Sequence, residues 1–188
     1  MGAYATVPLT RHQYKTIIEA MRTGSCYFKP NIRISEVLIA EANLGIRIED
    51  VLALKPSSFV FAGGIYKISI IEQKTKKKRY KSISHEFYKH LSLYIKENEI
   101  KKNDLIFPMT ERSVQKYLKK VCDFLEYENI STHSFRKYCG MNLYEASGYN
   151  IIKVMNFYQH SSPAITQRYL GVSSYEEDQM LLGYSDIV

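Results

Sequence analysis

Residues 59–83 break the rhythm of an otherwise helical chain, and that break fixes the fold class. The runs 59–61 and 65–71 are rich in β-branched and aromatic residues and flank Ala62-Gly63-Gly64. A Gly-Gly pair between two such runs signals a two-residue hairpin turn. Residues 78–83 supply a third strand after a basic turn, so this stretch predicts a small antiparallel sheet of three strands. The apolar residues around it recur with helical period. Thr10 caps a helix expected over 11–22 and ended by Gly24. A helix over 31–43, stopped by Gly45, places Ile34, Val37, Leu38 and Leu44 on one side, and a short one over 47–54 is closed by Pro56. After the sheet, Ser84 and Thr110 cap helices that carry Phe87, Leu91, Tyr94 and Ile95, then Val114, Tyr117, Leu118, Val121 and Leu125. Phe135, Cys139, Leu143 and Ala146 mark the inner face of a helix that ends at Gly148. A helix over 150–158 follows, and Ser162-Pro163 opens a final pair. The expected fold is mainly α with a small three-stranded antiparallel β-sheet (α+β).

The chain has 188 residues, 45% of them apolar, enough for a core without disulfide staples. We expect one domain over 1–188, with no repeat or linker dividing it. The apolar runs at 52–54 and 68–71 fall far short of the roughly 18 residues a membrane span needs, and residues 1–9 lack the pattern of a cleavable leader. Cys26, Cys122 and Cys139 are scattered with no C-x-x-C and read as reduced thiols. A cytoplasmic protein with no membrane partner is the expectation. The net charge of +7 favours a polyanionic partner, because each neutralised phosphate releases counterions. The excess is concentrated in KTKKKRYK at 74–81, whereas the C-terminal stretch is acidic at Glu176, Glu177, Asp178 and Asp186.

Four segments carry candidate chemistry. In THSFRKY, His133 and Arg136 lie three apart on a helix and share a face, a pairing suited to a phosphate: the Arg forks two oxygens and the His moves a proton. In YQHSSPAITQRYLG, His160 precedes a helix N-terminus and Tyr169 follows nine residues later. In EANLGIRIEDVLAL, Arg47 follows a helix-ending turn and Asp50 is placed to orient it. In EQKTKKKRYK, Lys74 sits where strand gives way to turn. Each segment alone is most often a solvated surface feature. No H-E-x-x-H, paired cysteines or carboxylate cluster marks a metal site, and no glycine-rich phosphate cradle appears.

Taken in order, Arg47, Lys74, His133-x-x-Arg136, His160 and Tyr169 resemble the catalytic set of the tyrosine recombinases, the phage-type integrases. LGIRIEDVLALK resembles the first-arginine motif with its acidic follower, HSFRK the H-x-x-R box, and the spacing from His160 to Tyr169 is the family's own. The resemblance covers roughly residues 10–175 and implies the tyrosine recombinase catalytic-domain fold. The chain departs from the pattern in three places. Tyr158-Gln159-His160 stands where Leu-Gly-His is frequent. The lysine turn lacks its usual Gly, which leaves Lys76, Lys77 or Lys78 as alternatives to Lys74. The N-terminal clamp domain is absent, so we expect an excised catalytic domain or a reduced stand-alone member.

The resemblance implies site-specific recombination of double-stranded DNA. Tyr169 attacks a phosphodiester to give a 3′-phosphotyrosine and a 5′-hydroxyl. Arg47 and Arg136 grip the phosphate, His133 handles the phenol proton, Lys74 protonates the leaving oxygen and His160 adds a hydrogen bond. Lys76, Lys77, Lys78 and Arg79 face DNA. Neither a metal nor a nucleotide cofactor is required. The tail 174–188, with Met180, Leu181 and Leu182, is expected to form a short helix that docks on a neighbour in a DNA-bound tetramer or folds back on its own domain. Two other classes share these residues: a binding module that holds DNA without cutting, and a type IB topoisomerase.

Overall fold

A computed structural model describes residues 6–71, 78–172 and 182. Among them run α1 (Arg11–Thr23), α2 (Ile32–Leu44), α3 (Ile48–Leu52), β1 (Phe59–Ala62), β2 (Ile65–Ile71), β3 (Lys78–Ser82), α4 (His85–Glu97), α5 (Glu111–Phe124), α6 (Thr132–Ala146), α7 (Ile151–Tyr158) and α8 (Pro163–Leu170). This is the mainly helical chain with one small sheet that the periodicity predicts. The third helix stops at Leu52, short of the expected 54. Of the expected final pair, α8 is described, and the tail helix at 174–188 falls outside the described residues apart from Leu182.

Local chemistry accounts for the boundaries. Thr10 and Gln13 exchange side-chain and backbone hydrogen bonds in a capping box that starts α1. Asn31, Ser84, Thr110 and Ser162 each accept from a backbone N–H three residues on, opening α2, α4, α5 and α8. Such caps contribute about 1 kcal/mol apiece. In the sheet, ordered β1-β2-β3 and antiparallel throughout, Ala62 pairs with Ile65. That register leaves only Gly63 and Gly64 in the turn, at φ 62° and 76°, the double positive φ that favours a Gly pair. Ile68 and Ile70 of β2 are buried, while Phe61, Ile71 and Tyr80 stay exposed.

The core falls into two clusters. The larger joins α1 to α5, the sheet and the first turns of α6, with Ile17, Met21, Leu38, Phe107 and Phe135 among its fully buried members. A smaller one gathers Tyr144, Val154, Tyr158, Leu170 and Val172 where α7 and α8 pack on the far half of α6. Helix α6 therefore spans both clusters, and its middle turn lies at their junction. Glu36, buried on α2, binds Arg22 of α1 and His90 of α4, each at 2.6 Å, and so ties three helices together.

Candidate active site

The turn from α2 to α3 presents the first site residue. Gly45 ends α2 at φ 58°, and a Cβ there would lie 2.8 Å from Phe157 and 2.9 Å from the Cys139 Sγ. Glycine is required on both counts, for handedness and for closeness. Arg47 follows as the extended N-cap of α3, half-buried, and its carbonyl accepts from Asp50 N–H at 2.9 Å. Asp50 is buried on the same turn.

Helix α6 carries the H-x-x-R pair, and the two side chains part company. His133 is exposed on the first turn, whereas Arg136 is 5% exposed at the junction of the clusters. A step of three residues rotates a helix by about 60° short of a full turn. That suffices to carry Arg136 over the edge of the apolar stripe begun by Phe135. The Arg136 guanidinium lies over the Tyr158 ring with its Cζ at 4.9 Å from the centroid, and the Tyr158 hydroxyl donates to the Arg136 carbonyl at 2.6 Å. One tyrosine thus holds both ends of the arginine.

Tyr158 ends α7, and the chain reverses through Gln159 at φ 56°, a left-handed conformation that costs a non-glycine residue about 1–2 kcal/mol. The reversal places His160 against Tyr158, with stacked rings at 5.4 Å. His160 Nδ1 lies 3.0 Å from the Thr166 hydroxyl, which itself donates to the Ser162 carbonyl. That contact fixes the orientation of the His160 ring beside Tyr158.

Tyr169, on the last turn of α8, meets these groups from the other side. Its ring packs edge-on against His160 at 5.3 Å and against Tyr158 at 5.4 Å. The Lys137 Nζ sits 5.2 Å from its centroid and donates to the Thr6 carbonyl. The Tyr169 hydroxyl is buried beside Arg136 without a hydrogen bond of regular geometry. Burial pushes its pKa up to about 12. The Arg136 charge opposes that rise and the Glu41 carboxyl adds to it.

The structure therefore brings Arg136, His160 and Tyr169 together and sets His133 at the exposed rim of the same helix. Lys74, Lys76 and Lys77 lie outside the described residues, as does the side chain of Arg79. Lys78 is exposed, with its Nζ 5.2 Å from the Tyr80 ring. Three neighbours of the site were missed in the sequence. Tyr158 is one. Lys81 is another: its Nζ donates to the Leu44 carbonyl at 3.3 Å and lies 3.6 Å from the Phe157 centroid, pinning β3 to the end of α2 and to α7. The third, Glu41, is fully buried on α2. A signal for Glu41 existed, since an acid in VLIAEANLG stands on the apolar stripe of a helix.

The chain is similar to known proteins in sequence and in fold. Residues 8–176 match the model of the phage integrase family. The probable integrase/recombinase YoeC of Bacillus subtilis (strain 168) is 28% identical over 149 residues, covering 76% of this chain and 77% of that protein. The XerH site-specific recombinase bound to its difH substrate superposes with a TM-score of 0.66 at 20% identity, over 87% of this chain and 50% of that one. This chain thus spans about half the length of that relative. XerA recombinase gives 0.69 at 18% identity, over 100% of this chain and 67% of that one. The catalytic domain of bacteriophage HP1 integrase gives 0.63 at 22%, over 93% and 94%. The fold is that of the tyrosine recombinase catalytic domain.

Proposed function

Because the chain belongs to the phage integrase family, the tyrosine-type site-specific recombinases, we propose that it cuts and rejoins double-stranded DNA through a covalent link to Tyr169. The observation that carries this reading is the Tyr169 hydroxyl, buried beside the Arg136 guanidinium without a hydrogen bond of regular geometry. Native proteins leave few buried polar atoms without partners, and those they leave gather where a ligand completes them.

In this mechanism the scissile phosphate enters between Arg136 and Arg47, whose charges stabilise the negative charge that builds on the non-bridging oxygens. A phenol of ordinary pKa about 10 is a weak nucleophile at neutral pH, and burial makes Tyr169 weaker still. The phosphate-bound arginines and a base must both act on it. Tyr169 Oη attacks phosphorus, the bond to the 5′ oxygen breaks, and a 3′-phosphotyrosine remains. His133 takes the phenol proton, Lys74 gives one to the departing 5′ oxygen, and His160 donates a hydrogen bond to the phosphate. The phosphotyrosine conserves the energy of the broken bond, so attack by a 5′-hydroxyl reverses the steps and reseals the strand. Lys76, Lys77, Lys78 and Arg79 supply positive charge for the DNA backbone. Self-association on DNA, through the tail at 174–188, completes the assembly as a tetramer. The reaction belongs to the cytoplasm, where the DNA is; among the described residues no helix is long and apolar enough to cross a membrane.

The test is covalent capture. Incubation with a pool of nicked suicide duplexes of randomised core, followed by a denaturing gel, yields a shifted band for the wild-type chain and none for Tyr169→Phe. Capture by the Tyr169→Phe chain removes Tyr169 from the role. A failure of both chains to capture any duplex, with DNA binding retained, favours a binding module.

A further inference from the structure

Among the described residues, five buried side-chain atoms lack a hydrogen bond of regular geometry, and four of them belong to one group of interacting side chains: both oxygens of Glu41, Nε of Arg136 and the hydroxyl of Tyr169. The phosphate that the proposed function brings in satisfies the arginine and the phenol. It does nothing for Glu41, and an ionised carboxylate there would repel it. Glu41 is 0% exposed, on the face of α2 that packs along α6, and its carboxyl feels the Arg136 charge without bonding to it. An acceptor with no donor and a donor with no acceptor, both buried on facing helices, form an ion pair left unmade.

We propose that Glu41 is a positioning residue for Arg136. While its carboxyl is uncharged, the guanidinium is available to the scissile phosphate; when the carboxyl ionises, the pair closes inward and the site is disarmed. The inference rests on the recombinase reading only for the identity of the anion. The physical grounds are independent of it. An ionised carboxylate without a single hydrogen bond costs several kcal/mol in such surroundings, so the open pair is compatible with the neutral acid. Burial holds the Glu41 pKa well above the ordinary carboxylate value, against the pull of Arg136 and with a push from Glu111 at the start of α5. The other ionisable groups that feel its charge are the phenols of Tyr158 and Tyr169 on α7 and α8. Helix α1 turns Ile17, Ile18 and Met21 toward the core, and its Arg22 is engaged by Glu36.

Two measurements decide it. In single-turnover attachment to a captured suicide duplex, the rate of Glu41→Gln divided by that of wild type cancels every other titration. That ratio should lie near one at mildly acid pH and climb about tenfold for each pH unit above the Glu41 pKa, with the affinity for DNA unchanged. A ratio that stays constant overturns the inference. If the glutamine variant does not fold, Glu41→Leu replaces it in the same ratio. The second measurement uses the DNA-free chain in urea. The stability gained by Glu41→Gln should be absent near the ordinary glutamate value of 4.5 and widen as pH rises above it. A pH-independent gap overturns the inference whatever the attachment assay gives. A wild type that forms no adduct at any pH counts against the recombinase reading and leaves the urea result to judge Glu41.

Discussion

Gly140 offers the sharpest separation of stability from activity in this molecule. It lies on α6 one turn after Arg136, where α7 and α8 come closest. A Cβ added there would meet Leu170 Cδ2 at 2.7 Å, the Tyr158 hydroxyl at 2.8 Å and Tyr158 Cε2 at 2.9 Å. Ordinary carbon contacts begin near 3.5 Å, so both side chains must retreat by roughly 0.5–1 Å. Overpacking of this kind costs about 1–3 kcal/mol. Alanine in a helix interior returns about 1 kcal/mol relative to glycine. The net for Gly140→Ala is a loss of about 0–2 kcal/mol, or at most about 8 °C in Tm for a chain of this size. The displaced groups are the ones that matter for chemistry. Tyr158 holds the Arg136 carbonyl and underlies its guanidinium, and Leu170 is the residue after Tyr169. A misplacement of about 1 Å at reacting groups costs about a hundredfold. Thermal melting and single-turnover attachment, run on the same preparation, should therefore show a folded chain that attaches to DNA about a hundred times more slowly. A Gly140→Ala chain within threefold, on the order of 0.7 kcal/mol, of the wild-type rate would refute the claim that this contact positions the nucleophile.

Other outcomes follow from the same contacts. Arg136→Ala should slow attachment at least about a hundredfold, as expected for one lost preorganised donor; a twofold loss in the gel assay would argue against the clamp. Tyr158→Phe removes the hydroxyl that donates to the Arg136 carbonyl at 2.6 Å. It should cost about 1–2 kcal/mol in urea unfolding and slow cleavage with DNA affinity intact; an unchanged cleavage rate contradicts this. Burial raises the Tyr169 pKa from 10.0 to about 12. Its contribution to stability is therefore intact below pH 10 and lost as pH climbs through 12. Wild type should weaken relative to Tyr169→Phe across that window, and the tyrosinate absorbance unique to wild type should appear only near its top.

Much of this architecture was legible in the sequence because it is local. The caps at Thr10, Ser84, Thr110 and Ser162 and the Gly63-Gly64 turn each declare themselves within a few residues. The helical stripes through Leu91 and Leu118 do so by period, and both side chains are buried as expected. The family was legible in six residues in order, since spacing and intervening elements constrain one another. What escaped was long-range packing. Nothing local says that Arg136 turns inward while His133 stays outside, because that depends on where α7 and α8 cross α6. Tyr158 was one of 16 tyrosines until the fold placed it under the guanidinium. Glu41 was visible as an acid on an apolar stripe, but its partner lies 95 residues away on another helix.

The central claim is that Tyr169, among 16 tyrosines, carries the DNA. Nuclease trimming of the trapped adduct followed by peptide mass spectrometry locates the residue directly. The account predicts a nucleotide joined through a 3′-phosphate to the peptide containing Tyr169, and to no other. The nucleotide on Tyr158, or on any residue but Tyr169, would contradict it.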